Sequence, residues 1–317
     1  MPNLENTNPL NVEPDQLHGI LVVDKPPGPT TFDVIRFLRK TCNLPRKLKI
    51  GHLGTLDPFA SGVVLVAFGK ALKYASFALH LTKTYRARLW LGDETDTLDP
   101  TGKVIKTAPL PQNWQDKITQ SINAMRGDII QIPPAFSAKH THGSRAYELA
   151  RQGKNVELKP IRVTIYKIEI IGFGDSWLDF TAEVSSGTYM RSLARDLASS
   201  IGTVGHLVGL ERTAVGSFNS DLSIPFSAFE VGGINTLIHH LKPIDALIEH
   251  LPYIVLKHGR ENKILTGLKL TPKDLEHPFP PPNATIFKVL DPSGNFLSLA
   301  KKTKKENSMI PFKPWIE

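Results

Sequence analysis

The pattern of apolar positions in the first eighty residues predicts two strands and two helices. Residues 19–23 form a short apolar run before a proline-rich turn, which indicates a strand. Thr30 and Asp33 have the spacing of a capping box, so a helix is predicted to begin after Thr30. Residues 62–68 are almost entirely apolar, as in a buried strand, and residues 70–79 are predicted to form a helix.

The middle of the chain is predicted to contain three more strands and another helix. Apolar and polar residues alternate from Tyr85 to Leu91, which is the period of a half-exposed strand. Residues 161–173 and 178–184 are predicted to pair as antiparallel strands, and a helix follows Thr188. Because strands and helices do not alternate strictly, we predict an α+β fold in which a mixed, largely antiparallel sheet is flanked by helices.

The last part of the chain is predicted to be a small β-rich domain. The boundary falls within residues 241–253, and residues 285–290 and 296–300 have the pattern of a hairpin. Residues 251–317 contain eleven Lys or Arg and six Asp or Glu, so this domain is basic. The predicted divisions are a polar tail at 1–18, a main domain at 19–245 and a small domain at 251–317.

Composition predicts a globular protein of a reducing cytoplasm. Hydrophobic residues make up 41% of the 317 residues, which suits a sizeable core. The apolar run from Val63 to Phe68 is too short to span a bilayer, and residues 1–18 lack the basic-then-apolar order of an export signal. The single cysteine, Cys42, excludes an internal disulfide framework and a cysteine-rich zinc site. We therefore expect a cytoplasmic protein without a membrane partner.

Positive charge is concentrated in stretches that suit a polyanionic partner. The net charge is +8. No acidic residue lies between Asp33 and Asp57, and a second basic stretch covers residues 139–162. Solvated faces would give the same pattern, but separated basic stretches favour an extended phosphate backbone over one small acidic ligand. The basic residues of the first stretch are Arg36, Arg39, Lys40, Arg46, Lys47 and Lys49.

Two segments contain metal-ligating residue types without the pattern of a metal site. Residues 93–102 are rich in acidic residues but lack the spacing and late Glu of a calcium loop, so we predict a plain turn. His140 and His142 are too few ligands for zinc without a cysteine or a patterned carboxylate. We expect no metal.

Asp57 lies in a loop whose composition suits a rigid site. Residues 51–62 contain three glycines and Pro58, between the first basic stretch and a buried strand. Glycines allow a close approach of backbone to ligand, and a rigid scaffold fixes a side chain. From loop chemistry alone, an aspartate before a proline is more often a turn or capping residue than a catalyst.

Short segments along the chain form an ordered set. They are residues 19–28, 51–62, 83–86, 92–102, 131–138, 147–153, 186–191 and 205–212. In this order they resemble the motifs of the TruB family of tRNA pseudouridine synthases, over about residues 19–218. The resemblance implies a pseudouridine synthase fold, an RNA-clamping insertion at about 133–159 and a PUA-like domain at 251–317.

The resemblance also implies roles for individual residues. Asp57 would be the catalytic carboxylate, Arg191 its charge partner and Tyr85 the active-site aromatic residue. A cation beside a carboxylate lowers the pKa of that carboxylate and keeps it ionised. Substrate contacts are implied for His52, Tyr85, Tyr189 and Leu210. RNA contacts are predicted for Lys25, Arg46, Lys47, Lys139, His140 and Arg151.

Two positions depart from the family pattern. Phe136 stands where a tyrosine is common, and His140 stands where a lysine is usual. Both lie in the implied insertion, so the departures concern RNA contacts rather than catalysis.

The implied reaction converts uridine 55 in the T loop of tRNA into pseudouridine without a cofactor. The glycosidic bond to N1 breaks, the uracil turns, and C5 joins the same ribose carbon. Asp57 would attack the ribose carbon, attack uracil C6, or stabilise the cationic sugar, and the sequence leaves these routes open. The target base must leave its stack, and His52 is predicted to fill the gap. Tyr85 is expected to stack on uracil and to take the C5 proton, directly or through water.

Two other functions are compatible with these residues. One is a tRNA-binding chaperone in which catalysis is secondary, and the other is a guide-RNA-dependent relative that works inside a ribonucleoprotein. The insertion between Ile132 and Ile161 and the compact tail favour the stand-alone enzyme. We expect a monomer that binds the T arm of tRNA and requires no protein partner.

Overall fold

A computed structural model describes residues 17–136, 140–141, 144–145, 158–277, 284–303 and 308–315. The predicted RNA contacts Lys139 and Arg151 lie outside these residues, as do residues 1–16 of the tail and most of the implied insertion. The backbone of His140 is described, but its side chain is not.

Four helices pack on one face of a large central sheet and share one hydrophobic core with it. They are α1, α3, α4 and α5. Within the described residues, no helix has both the length and the apolar character that a bilayer crossing requires. The α-helices of the described residues are α1 Thr31–Thr41, α2 Ala75–His80, α3 Trp114–Ala124, α4 Met190–Ser200, α5 Phe226–His240 and α6 Asn262–Leu265.

The central sheet is mixed and largely antiparallel, which confirms the predicted fold class. Its strands run in the order β14-β1-β3-β12-β4-β11-β10-β7, with β2 beside β3 and β13 beside β12. Two of these pairs are parallel, β1 with β14 and β3 with β12. The strands are β1 Gly19–Lys25, β2 Ile50–His52, β3 Ser61–Phe68, β4 Lys83–Leu91, β5 Asp93–Thr95, β6 Val104–Thr107, β7 Gly127–Gln131, β8 His140–Thr141, β9 Ser144–Arg145, β10 Ile161–Phe173, β11 Trp177–Val184, β12 Gly205–Val215, β13 Phe218–Asn219, β14 Ile224–Pro225, β15 Tyr253–Val255, β16 Ile286–Leu290, β17 Phe296–Lys302 and β18 Met309–Phe312.

β1 is covered on both faces of the sheet. Leu21 and Val23 lie in the core beneath the helices, whereas Ile20 and Val22 lie in a second core on the opposite face. A strand that is buried on both sides has a continuous apolar sequence rather than an alternating one. This double burial explains the predicted apolar runs of β1 and β3.

β4 is buried on one face, as its alternation predicts. Its odd-numbered residues from Lys83 to Leu91 are buried, while Arg86, Arg88 and Trp90 are exposed. Tyr85 therefore points into the protein, on the side of the helices.

The predicted start of α1 is confirmed. The Thr30 hydroxyl accepts a hydrogen bond from the Asp33 N–H, and the Asp33 carboxylate accepts one from the Thr30 N–H. Both bonds belong to the capping box.

The helix predicted at 70–79 is divided into two parts. A 3-10 helix covers Gly69–Tyr74, and α2 follows it. Ala71 and Tyr74 are both fully buried and lie three residues apart, which is the repeat of a 3-10 helix. The prediction of one continuous helix was wrong in this respect.

Strands β15 to β18 form a separate four-stranded sheet in the order β15-β16-β17-β18, which we call the C-terminal sheet. The predicted hairpin is present as β16 and β17. Leu299 of β17 is buried in the same core as Ile20 and Tyr74, and the Tyr74 hydroxyl donates to the Lys313 carbonyl. The C-terminal sheet therefore packs on the face of the central sheet opposite to the four helices.

Candidate active site

The loop that carries Asp57 connects β2 to β3 and is held on both sides of that residue. The Thr31 hydroxyl donates to the Leu56 carbonyl at 3.0 Å and accepts from the Leu56 N–H at 2.9 Å. The Gly28 N–H donates to the Pro58 carbonyl at 2.8 Å. Because Leu56 and Pro58 flank Asp57, the carboxylate is presented from a fixed backbone.

Lys25 supports this loop from inside the protein. Its ammonium group donates to the carbonyls of Pro26, Pro29 and Pro58 at 2.8, 2.9 and 3.1 Å. The side chain is fully buried, and burial lowers the pKa of Lys25 to about 8. The predicted RNA contact of Lys25 was wrong, because its three donors are used by backbone carbonyls and no surface is left for a phosphate.

Arg212 on β12 is a second buried cation, for which the sequence suggested no individual role. Its guanidinium donates to the carbonyls of Thr55 and Gly54 at 2.9 and 3.3 Å, and the residue is 2% exposed. The backbones of the paired strands β3 and β12 approach so closely that a Cβ on Gly62 would lie 2.3 Å from the Arg212 carbonyl oxygen. Gly62 also has a positive φ of 103°, so this position requires glycine. Arg212 therefore positions the loop of Asp57.

Arg191 and Asp57 form a bidentate ion pair at the base of the site. Nε of Arg191 lies 2.9 Å from one carboxylate oxygen and Nη2 lies 3.0 Å from the other. Arg191 is in the first turn of α4, the helix that was predicted to follow Thr188. Its side chain is 7% exposed, whereas that of Asp57 is 31% exposed. Asp57 is therefore the member of the pair that faces solvent.

The other donors of Arg191 fix its orientation. Nη1 donates to the Thr97 carbonyl at 2.9 Å and lies 3.2 Å from the Asp99 carboxylate. Nη2 also donates to the Phe136 carbonyl at 3.0 Å. Each nitrogen of the guanidinium is thus bound, so the plane that holds Asp57 cannot rotate freely.

Asp99 was missed by the sequence analysis. Its carboxylate is buried, accepts hydrogen bonds from the hydroxyls of Thr97 and Thr101, and pairs with Arg191. The predicted turn is present at residues 96–102, between β5 and β6, but residues 93–95 form a strand and the turn carries a charge partner of Arg191. The β5-β6 hairpin brings Asp99 to an arginine 92 residues away, and no local pattern reports such a contact.

The pKa of Asp57 is raised from its usual value. Burial at the base of the site is the main cause, Arg191 opposes it, and the negative charge of Asp99 adds to it. Arg191 lowers the pKa of Asp57, as expected from the sequence, but desolvation outweighs this contribution.

Asp57 opens into a cleft of about 1060 Å³, which is large enough for a nucleotide. Tyr85 and Leu210 are 8% and 7% exposed and line this cleft from the neighbouring strands β4 and β12. Tyr189 lines it from the start of α4, where its N–H donates to the Gln131 side chain at 2.8 Å. The structure thus brings Tyr85, Tyr189 and Leu210 to the same cleft as the Arg191–Asp57 pair.

His52 occupies a different position. It ends β2 and is not among the described residues that line the cleft. Within the described part of the chain its Nδ1 is buried without a hydrogen-bond partner. Burial and the nearby charge of Arg212 lower the pKa of His52, which favours the neutral ring. The contact of His52 with substrate stays a prediction.

Arg46 and Lys47 are exposed, in the turn that follows α1. Their side chains are accessible to a phosphate backbone. Their contact with RNA stays a prediction.

Sequence comparisons identify relatives along most of the chain. Residues 39–190 match the family described as TruB family pseudouridylate synthase (N terminal domain). The tRNA pseudouridine synthase B of Caldanaerobacter subterraneus subsp. tengcongensis is 38% identical over 250 residues, which is 78% of this chain and 85% of the relative. The protein of the same name from Clostridium acetobutylicum is 34% identical over 294 residues, or 93% and 99%.

Solved structures show the same fold. A crystal structure of a Cbf5-Nop10-Gar1 complex contains a chain with a TM-score of 0.71 and 23% identity, covering 99% of this chain and 91% of that one. An H/ACA ribonucleoprotein bound to a substrate RNA containing 2'-deoxyuridine gives a TM-score of 0.69 and 22% identity, covering 100% and 93%. The sequence matches, together with this fold, show that the chain belongs to the TruB family of pseudouridylate synthases.

Proposed function

We propose that this protein converts a uridine of tRNA into pseudouridine and that Asp57 is the catalytic carboxylate. The observation that carries the proposal is the Asp57 carboxylate, held at both oxygens by Arg191 and open to a cleft lined by Tyr85, Tyr189 and Leu210. The relatives named tRNA pseudouridine synthase B, at 38% and 34% identity, support the reaction and the substrate class.

The residues of the cleft suit an isomerisation. The bond between uracil N1 and the ribose carbon breaks, C5 bonds to that carbon, the C5 proton leaves, and the released N1 takes up a proton, so that the product is an isomer of uridine. The ionised Asp57 carries the reaction by attacking the ribose carbon or uracil C6, or by stabilising the cationic sugar. Arg191 aims the carboxylate in each case. Tyr85 stacks on the uracil and takes the C5 proton, directly or through water.

The finer assignments belong to the same proposal. The target is uridine 55 of the T loop, the insertion at about 133–159 clamps the T arm, and residues 251–317 form a PUA-like domain. Exposed Arg46 and Lys47 bind phosphates, and His52 and Tyr189 contact the substrate. The protein acts in the cytoplasm as a monomer, without a protein partner or a cofactor.

Pseudouridine mapping of an unmodified tRNA transcript tests the proposal. The purified wild-type protein is compared with Asp57→Asn and with Asp116→Asn, which removes an exposed carboxylate in the first turn of α3. We expect pseudouridine at one T-loop position with the wild type and Asp116→Asn, and none with Asp57→Asn. Modification at another position would refute the assignment to uridine 55.

The same assay separates the two other functions. Tight tRNA binding by the wild type without any pseudouridine would refute the stand-alone synthase. Growth that depends on the protein but tolerates Asp57→Asn would then identify the chaperone. Activity that appears after addition of a guide RNA would identify the guide-dependent enzyme.

A further inference from the structure

Phe32 is an exposed aromatic residue next to the candidate active site. Thr30 lines the cleft, and the hydroxyl of Thr31 holds Leu56 beside Asp57. Phe32 follows directly in α1, and it is 54% exposed. Single exposed apolar residues are common on protein surfaces. Phe32 differs from such residues because it lies two residues after Thr30 of the cleft and because a cationic side chain on the same helix packs against its ring.

That neighbour is Arg36, one turn further along α1. Its guanidinium carbon lies 4.8 Å from the centroid of the Phe32 ring, over the ring face. Arg36 is 69% exposed at its side chain and is held by Asp33 at 3.0 Å. The ring and the guanidinium therefore form a stack that is presented to solvent.

Exposed basic residues continue along α1 and into the turn that follows it. Lys40 is exposed one turn beyond Arg36, and Arg46 and Lys47 are exposed after the helix. Asp33 is the single acidic residue of α1, and its oxygens are bound by Arg36 and Thr30. Negative charge that would repel a phosphate is thus neutralised beside the stack.

We propose that Phe32 and Arg36 form a stacking platform for an unpaired base of the tRNA strand next to the target uridine. This inference rests on the proposed function. Removal of a uridine from its stack uncovers the bases on both sides of it, so a stacking surface is needed besides His52, which is predicted to fill the gap. An aromatic ring and a guanidinium both accept a base of any identity by stacking, while Lys40 and Arg46 bind the phosphates of the same strand.

Phe32→Ala, Phe32→Leu and Phe32→Trp test the platform with an unmodified tRNA transcript. We expect Phe32→Ala and Phe32→Leu to raise KM roughly tenfold with little change in kcat, because base stacking is lost while the reacting groups remain. Phe32→Trp retains the wild-type KM. The melting temperature of all three variants stays close to that of the wild type, since residue 32 is largely exposed.

Lys40→Ala is the matched control for charge. It removes a cation from the same helix without touching the ring, so its effect on affinity decreases as salt is raised. The effect of Phe32→Ala persists at high salt. A transcript with 2-aminopurine at an unpaired position flanking the target reports stacking directly, and its fluorescence is quenched by the wild type and not by Phe32→Ala.

Unchanged KM in Phe32→Ala, or a wild-type KM in Phe32→Leu, would overturn the stacking platform. A fall in melting temperature with an equal loss of kcat would also overturn it, because that result indicates a structural role. These outcomes are distinct from failure of the proposed function, which is shown by a wild-type protein that forms no pseudouridine in tRNA.

Discussion

Asp57 and Asp274 are both paired with basic residues, yet the pKa values of their carboxylates are shifted in opposite directions. Asp274, in the small domain predicted at 251–317, has a side chain that is 4% exposed, and it accepts hydrogen bonds from Lys263 and Thr271. Burial opposes ionisation of Asp274, but these bonds outweigh it and lower the pKa to about 2. Asp57 is bound by Arg191 at the base of the cleft, and its pKa is raised because the surrounding protein desolvates the carboxylate more than Arg191 compensates.

The difference lies in how completely each carboxylate uses its acceptors. An ionised carboxylate has room for about four hydrogen bonds. Asp274 receives a lysine, a backbone N–H and a hydroxyl on the same oxygen, and its role is to cap a 3-10 helix. Asp57 receives two donors from one arginine and keeps its other acceptor directions toward the cleft. An ion pair therefore indicates a reactive site when its carboxylate still has acceptor positions that face a cleft.

The largest expected effect is a loss of pseudouridine formation when Asp57 is replaced, a loss that we do not expect for Asp274. Asp57→Asn is expected to lower the single-turnover rate of pseudouridine formation by at least about a thousandfold, because the amide can neither attack nor stabilise a cation. Its tRNA affinity and melting temperature should stay near those of the wild type, since Arg191 keeps Asp99 as a partner. Retention of more than about a tenth of the rate would contradict the assignment.

The second effect concerns the ion pair itself. Arg191→Lys cannot bind both carboxylate oxygens of Asp57, and we expect a rate loss of roughly a hundredfold. The ionised carboxylate is the reactive form, so activity falls as pH drops through its pKa. Lysine keeps the positive charge but loses one of the two contacts by which Arg191 lowers the pKa of Asp57, so that pKa rises further and the acidic limb moves to higher pH. A pH–rate profile checks this shift, and an acidic limb at the wild-type position would refute it.

A smaller effect is expected at Arg212. Arg212→Lys keeps the charge but cannot reach the Gly54 and Thr55 carbonyls together, so the loop of Asp57 is held less firmly. We expect kcat to fall roughly tenfold with KM unchanged. Arg88→Lys is the matched control, because Arg88 binds Asp179 on the exposed face of β4. Equal kcat in the two variants would show that Arg212 does not position the loop.

The smallest effect on rate is expected at Asp274. Asp274→Asn should leave pseudouridine formation unchanged and lower the free energy of unfolding by about 2 kcal/mol at neutral pH. The folded pKa of about 2 lies below the usual value of 3.8, so this stabilisation is present above about pH 4 and is lost as pH falls toward 2. Urea unfolding at neutral and acidic pH measures it. A constant difference at both pH values would contradict the role of the ionised carboxylate.

The sequence by itself determined the features that depend on near neighbours. The Thr30 and Asp33 capping box, the alternation of β4 and the β16-β17 hairpin follow from residues a few positions apart. These patterns also placed Tyr85 on the buried face of its strand. Local chemistry suffices there because the hydrogen bonds and the side-chain period are set within one element.

The tertiary structure alone decided the environment of each charge. Lys25 belongs to the first of the ordered motifs, residues 19–28, yet its ammonium group is enclosed by backbone carbonyls. Asp99 reaches Arg191 across 92 residues, and Arg212 reaches Gly54 across 158. The direction of the Asp57 pKa was likewise decided by the fold, because desolvation depends on every segment that surrounds a carboxylate and not on its sequence neighbours.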